Sequence, residues 1–359
     1  MLVYFTIICI IFLLAFSLKN QDTANMLRNY KGILTTSKVK LLIIAFILIF
    51  FAGVRYNVGA DYIQYALNFK DYCIQDLLLN GEPGIRIIAR LVAKFYNDSA
   101  GMFFCMSVIT IGLCVLTIAR HSPYFLISIL LYIFLGCWHE SFNSVRQSAA
   151  AAILFYGHTF IEERKFIKWL IICFIGYLFH TSAIVFIPLY FIPYNKKINL
   201  KTVFTFVFIG IIAAVFYDKA WDLIGILQNK EYVLDVYSTN KISIFRIIVA
   251  WTPIFFYLIN FRSDSILNRE KCNLNFYAFM SLLSATIILA ARNSAYLGRL
   301  VIYTDVYNTL FWACMFIKFS NKNSNRQKWL LLIMFCYFLY YLNEATGQYL
   351  INYMWIFGR

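Results

Sequence analysis

Between positions 55 and 65 the chain sets a guanidinium (Arg55), a glycine (Gly59), a carboxylate (Asp61) and two phenols (Tyr62 and Tyr65) directly after the apolar run from Leu41 to Phe51. That set suits a phosphorylated ligand. A guanidinium meets phosphate oxygens two at a time, and a carboxylate beside a cation stays ionised and can accept a proton. Gly59 allows a bend toward a bound group. Asp61 and Tyr65 are four apart and share a face if the segment is helical. Arg55 alone has a plainer reading, as a side chain snorkelling into the headgroups to end a span. That reading leaves the neighbouring groups unexplained.

Four further stretches carry polar chemistry. Glu82-Pro83-Gly84 offers a carboxylate at the start of an amphipathic segment, where its plain role is to cap a helix. In His139 to Gln147, Arg146 and Gln147 open a span that continues Ser-Ala-Ala-Ala-Ala; the small residues favour close helix packing, which would hold Arg146 inside the bundle as a phosphate or sugar ligand rather than as an interfacial anchor. His180, followed by Thr181-Ser182, interrupts a long apolar block, and is either a satisfied core donor or part of a site at a helix break. Around Arg299, Tyr296 and Tyr303 share its face if the stretch is one helix. Asp305 further on reads as a buried partner for a basic group or a hydroxyl.

The scaffold for these groups is set by composition. The 359 residues are 62% hydrophobic and 19% aromatic, which excludes a soluble domain. Apolar spans fall at roughly 2–18, 40–54, 100–119, 122–138, 145–161, 167–180, 182–194, 200–217, 242–260, 274–291, 300–317 and 329–342. They predict an all-α polytopic membrane protein of about 11–12 transmembrane or half-membrane helices, organised as one transmembrane domain over 1–359. Residues 57–98 are expected to form the larger outer loop, with an interfacial amphipathic helix at 85–95, and 218–241 a second one. The 167–194 block is too long for one span, and its basic flanks favour a hairpin over one broken helix. The first residues lack a positive start and a cleavage site and read as a retained span. The nine cysteines show no C-x-x-C pair and support neither a disulfide framework nor a zinc site.

The net charge of +15 is open to two explanations, a nucleic-acid footprint or membrane topology. Its distribution decides. The connections 19–40, 120–121, 162–168, 195–201, 261–273 and 318–328 hold 19 of the 32 Lys and Arg but only 5 of the 17 acids, and the rest of the chain is nearly neutral. By the positive-inside rule these connections are cytoplasmic, and no nucleic-acid partner is implied. Arg55, Asp61, Glu82, Arg146, His180 and Arg299 then all fall at the outer face.

The run R-Y-x-V-G-x-D-Y-x-x-Y at 55–65 resembles the EpsG-like branch of the Wzy-type bacterial polysaccharide polymerases. The resemblance extends through Glu82-Pro83-Gly84, Arg146-Gln147, Phe179-His180-Thr181-Ser182 and Gly298-Arg299 with Tyr303, in the expected order. It implies a glycosyltransferase-C-like fold with an outward-facing cavity in the bacterial cytoplasmic membrane. It also implies an enzyme that joins undecaprenyl-pyrophosphate-linked oligosaccharide repeat units into O-antigen, capsular or exopolysaccharide, with lipid pyrophosphate as the leaving group. On that basis Arg55, Arg146 and Arg299 stabilise the leaving charge, and Asp61, or else His180, takes the acceptor proton. Tyr62, Tyr65, Glu82, Gln147, Tyr296 and Tyr303 line the substrate. No metal or cofactor is expected, and a polysaccharide co-polymerase that regulates chain length is a partner by analogy only. An O-antigen ligase and a flippase for the same lipid-linked units are the alternatives.

Overall fold

The computed structural model describes residues 1–18, 36–78, 81–192, 196–228, 242–260, 273–320, 324–347 and 352–358. All regular elements among them are helical. Among the described residues four helices are long and apolar enough to cross a membrane, or six if each of two bent pairs counts as one span, and four shorter apolar helices accompany them. The protein is an all-α polytopic membrane protein. It is built of two compact units, Met1–Ile192 with Trp312–Arg359, and Pro193–Phe311.

The first unit begins with α1 (Leu2–Phe16) and α2 (Thr36–Gly53). On α2, Leu41, Ile44, Leu48 and Ala52 are buried at helical spacing while Leu42 and Phe46 on the other side are exposed. A helix apolar all round has no water-facing side, so its outer face suits hydrocarbon. The expected loop 57–98 is largely helical: α3 (Tyr62–Leu67), α4 (Phe69–Ile74) and α5 (Pro83–Ala93). Tyr62, Tyr65, Phe69, Tyr72, Ile85 and Ala89 form one core cluster with Met102, Phe103 and Met106. These last residues belong to α6 (Ser99–His121), whose 23 residues reach about 35 Å at ~1.5 Å per residue. Asp98 caps its start by accepting from the Ala100 N–H at 2.8 Å.

Two short helices, α7 (Phe125–Phe134) and α8 (Cys137–Asn143), form a pair bent by 41°. α9 (Val145–Gly157) follows, its alanines 149–152 all buried, and packs on α6 and on α11 (Phe166–Phe179), with the single turn α10 (Thr159–Glu162) between. The chain then turns at His180 into a 3₁₀ helix, Thr181–Phe191. Trp169 Nε1 donates to the Ile187 carbonyl at 3.1 Å, and Arg164 donates to the carbonyls of Tyr190 at 2.7 Å and Ile192 at 3.2 Å. These pairings run antiparallel, so the 167–194 block is the hairpin. Its 14 α-helical and 11 3₁₀ residues span about 21 and 22 Å at ~1.5 and ~2.0 Å per residue. The tighter winding makes the arms equal, and both fall short of a ~30 Å hydrocarbon core.

The two ends of this unit differ. One end holds the start of α5, the start of α9 and the hairpin tip. At the other, the ends of α6 and α9 meet with the His121 and His158 rings 4.6 Å apart. The connection that follows carries Arg164 and Lys165, and Lys168 stands in the first turn of α11.

The second unit is built on α12 (Leu200–Gln228), α13 (Ile244–Asn260) and α14 (Leu274–Ala290), with α14 packed against both others. Residues 218–228, expected in a loop, continue α12; the remainder of that loop, 229–241, lies outside the described residues. Tyr257 ties the unit together, its hydroxyl donating to Asn275 Oδ1 at 2.9 Å and accepting from the Ile198 N–H at 3.3 Å. Past α14 the chain breaks into short 3₁₀ and α turns over 291–305.

Candidate active site

Glu82 occupies the N-cap position of α5, with Pro83 at the first helical position. Proline is suited to that place because the N–H it lacks has no partner there anyway. The sequence suggested that Glu82 caps this helix, but its side chain makes no cap bond. The carboxylate turns outward, where Oε2 accepts from Arg146 Nη1 and Oε1 accepts from the Thr181 N–H at 3.1 Å. His180 Nε2 lies 3.9 Å from the same Oε1. Gly84 makes this possible. A Cβ there would meet the Leu178 carbonyl oxygen and the Phe179 ring at 2.9 Å, so only glycine lets α5 approach the hairpin closely enough for Glu82 to reach its tip.

Arg146 stands in the first turn of α9, with its Nε 3.4 Å from the Tyr65 hydroxyl and its guanidinium carbon 5.6 Å from the Tyr65 ring centroid. Its side chain remains 34% exposed, against 9% for Glu82. The Arg146 side chain is therefore partly accessible to a ligand, while the Glu82 carboxylate is largely enclosed. His180 links the two arms of the hairpin. Its Nδ1 accepts from the Ser182 N–H at 3.2 Å and lies 2.7 Å from Ser182 Oγ. The backbone donor places the proton of a neutral ring on Nε2, facing Glu82.

Four distant pieces of sequence thus supply Tyr65, Glu82, Arg146 and His180 to one cluster. Gln147, next to Arg146, is buried. Tyr72 lies in reach of two guanidiniums: burial pushes its phenol up, and Arg146 and, more weakly, Arg86 pull it down. Arg86 escaped the sequence reading, although Glu82, Arg86 and Arg90 recur every four residues and so form one stripe. Arg86 is buried and donates to the Leu77 carbonyl at 3.1 Å, with its Nε unpaired.

Arg55 is placed differently from the pyrophosphate ligand the sequence suggested. It is 1% exposed, donates to the carbonyls of Ala52 and, at 3.1 Å, Phe142, and lies 4.8 Å from the ring centroids of both Phe103 and Phe142. Both carbonyls end helices, α2 and α8, where the helix dipole is negative. Burial lowers its proton affinity to a pKa of about 10, still charged at neutral pH. Arg55 is a clamp between two helix ends. Tyr62, stacked on Phe103 at 4.5 Å, belongs to the same packing.

The loop after Arg55 leads to Asp61. Gly59 has φ +101°, and a Cβ there would meet Asn143 Oδ1 at 2.7 Å. Here the glycine serves close packing on α8 rather than a bend toward a ligand, and the Ala60 N–H donates to the same Asn143 oxygen at 2.8 Å. Asp61 itself is half-exposed and makes no side-chain cap bond with α3. The C-terminal segment runs beside this loop, a placement that no motif in the sequence signals. The Tyr56 N–H donates to the Met354 carbonyl and the Ile356 N–H to the Val54 carbonyl, each at 2.9 Å, and Tyr353 OH donates to Phe51 at 2.8 Å.

In the second unit Tyr296 and Arg299 are exposed, whereas Tyr303 is 1% exposed. The three do not share one helical face, because 3₁₀ winding over Arg299–Val301 changes the residue spacing between them. Asp305 accepts from the Ser284 hydroxyl at 3.2 Å and from Asn308 Nδ2 at 2.5 Å, the hydroxyl partnership expected of it.

The EpsG family model matches residues 38–355. The chain belongs to the EpsG family. The match takes in α2, the Glu82 cluster, the second unit and the start of the C-terminal segment. EpsG membership suggests a membrane polysaccharide-polymerase-like role. No curated protein and no solved structure matches this EpsG chain.

Proposed function

We propose that this protein is a Wzy-type polysaccharide polymerase. It joins undecaprenyl-pyrophosphate-linked oligosaccharide repeat units at the outer face of the bacterial cytoplasmic membrane. The observation that carries the reading is the convergence of Arg146, Glu82, Tyr65 and His180 at one end of a membrane unit in an EpsG-family chain. That end lies opposite the basic connection at 164–168, as a site on the outer face requires under the positive-inside rule.

In this reading a hydroxyl of the incoming repeat unit attacks the anomeric carbon of the growing chain. The bond from that carbon to the pyrophosphate oxygen breaks, and lipid pyrophosphate leaves with the bonding electrons. Arg146 stabilises the charge that develops on it. Asp61 is the preferred base for the acceptor proton, because its carboxylate is half-exposed and no ion pair to it occurs among the described residues. His180 is less suited, since the Ser182 N–H occupies Nδ1 and Nε2 carries the proton of the neutral ring. A diphosphate held by guanidiniums requires no metal, and the reaction is proposed to be metal-independent.

The test uses purified protein in nanodiscs with native lipid-linked repeat units and EDTA. Wild type is expected to give a polymer ladder, and Arg146→Ala to lower its formation by about 10²–10³-fold, the scale of removing one charge-stabilising donor. Transfer of a single chain to a lipid acceptor without any ladder identifies a ligase instead.

A further inference from the structure

We infer that Glu82 is a displaceable internal anion: it occupies Arg146 while the site is empty, and turns onto the hairpin tip when a diphosphate takes its place. This rests on the reading of Arg146 as the diphosphate ligand. The two carboxylate oxygens of Glu82 face different elements. Oε2 takes the Arg146 guanidinium on α9, while Oε1 takes the Thr181 N–H at 3.1 Å and stands 3.9 Å from His180 Nε2.

A buried carboxylate that loses its cation is normally strongly destabilised. Glu82 has an alternative already in place, because the backbone donor at Thr181 holds it and the Nε2 proton of His180 faces it. The move requires only rotation about the ends of one side chain. The incoming anion has the advantage in the competition. A diphosphate carries at least two charges and offers the paired oxygens a guanidinium fork prefers, and the Arg146 side chain is still 34% exposed to it. Buried Arg86, one turn beyond Glu82, has no carboxylate partner among the described residues and adds a second positive charge to the region.

The consequence is a site that reports its own occupancy. With the site empty, the tip at His180–Ser182 shares Glu82 with Arg146. With diphosphate bound, the whole carboxylate belongs to the tip, which is then held more firmly and carries a better-oriented His180. Glu82 acts here as a positioning residue.

The experiment titrates inorganic pyrophosphate into the full chain in nanodiscs, measuring affinity by calorimetry and amide exchange over 180–184. Wild type is expected to bind and to slow exchange at Thr181 and Ser182. Glu82→Gln is expected to bind roughly tenfold more tightly, equivalent to ~1.4 kcal/mol, with no change in exchange at the tip. Arg146→Ala is expected not to bind. Weaker binding by Glu82→Gln than by wild type overturns the inference, since Glu82 then merely holds Arg146 in place. Absence of binding by wild type overturns the reading of Arg146 and this inference with it. If the Gln variant does not fold, Glu82→Asp decides: its shorter arm cannot serve both partners, so binding should persist without the response at the tip, and an unchanged response overturns the inference.

Discussion

Arg55 and Arg146 carry the same guanidinium in opposite surroundings. Arg55 is enclosed by two helix-end carbonyls and two phenylalanine rings, whereas Arg146 shows a third of its side chain to the outside. The expected consequences of removing them therefore diverge. Arg55→Ala orphans two buried carbonyls and leaves a cavity, and is expected to destabilise the fold by roughly 3–5 kcal/mol, measured as a lowered midpoint of thermal unfolding in nanodiscs. Arg146→Ala should leave that midpoint close to wild type while lowering ladder formation by about 10²–10³-fold. Asp61→Asn should also fold normally, with turnover reduced by about 10²–10⁴-fold if it is the general base. A full ladder from this variant rejects that role. Spacing identified Asp61, Glu82, Arg146 and His180 as chemically unusual. It did not separate Arg55 from them, because the Phe142 carbonyl that claims it lies 87 residues away.

The tripeptide Glu82-Pro83-Gly84 works as an element. Proline starts α5, glycine lets its end touch the hairpin, and the glutamate spans the contact. Gly84→Ala is expected to push α5 away from Leu178 and Phe179 and break the Glu82–Thr181 bond, lowering polymer formation at least tenfold, or ~1.4 kcal/mol, with Arg146 intact. A wild-type ladder from Gly84→Ala shows that this contact does not position the site. The C-terminal segment is a second supporting element. Deleting residues 352–359 removes three hydrogen bonds to the chain around Arg55, about 3 kcal/mol at ~1 kcal/mol each, and should be seen as faster amide exchange over 51–61. The hairpin was legible because basic residues flank both sides of an overlong apolar block. Its 3₁₀ arm was not, since periodicity over eleven apolar residues does not distinguish windings of 3.0 and 3.6 residues per turn.

At the scale of the molecule, the charge asymmetry predicts that the ends of the first unit face opposite sides of the membrane. In a background without native cysteines, Thr181→Cys is expected to react with an impermeant maleimide from outside, and Lys165→Cys only after permeabilisation. The reverse pattern overturns the proposed orientation. The two compact units meet in sequence at the basic connection 195–201, which in composition resembles the other connections between spans. What divides them is which faces pack together, and that is a property of contacts between distant segments.

The sequence by itself determined the class of protein, because apolar blocks of spanning length permit only helices in a bilayer. It also determined the family, through ordered motifs spread along most of the chain, and singled out the unusual polar groups as candidates. Only the tertiary structure decided what each of those groups touches. Whether a guanidinium is a clamp or a ligand, and whether a glutamate caps its own helix or bridges two others, depends on which carbonyls and donors arrive from elsewhere in the chain. Local spacing carries no information about those arrivals, since they are fixed by packing between segments tens to hundreds of residues apart.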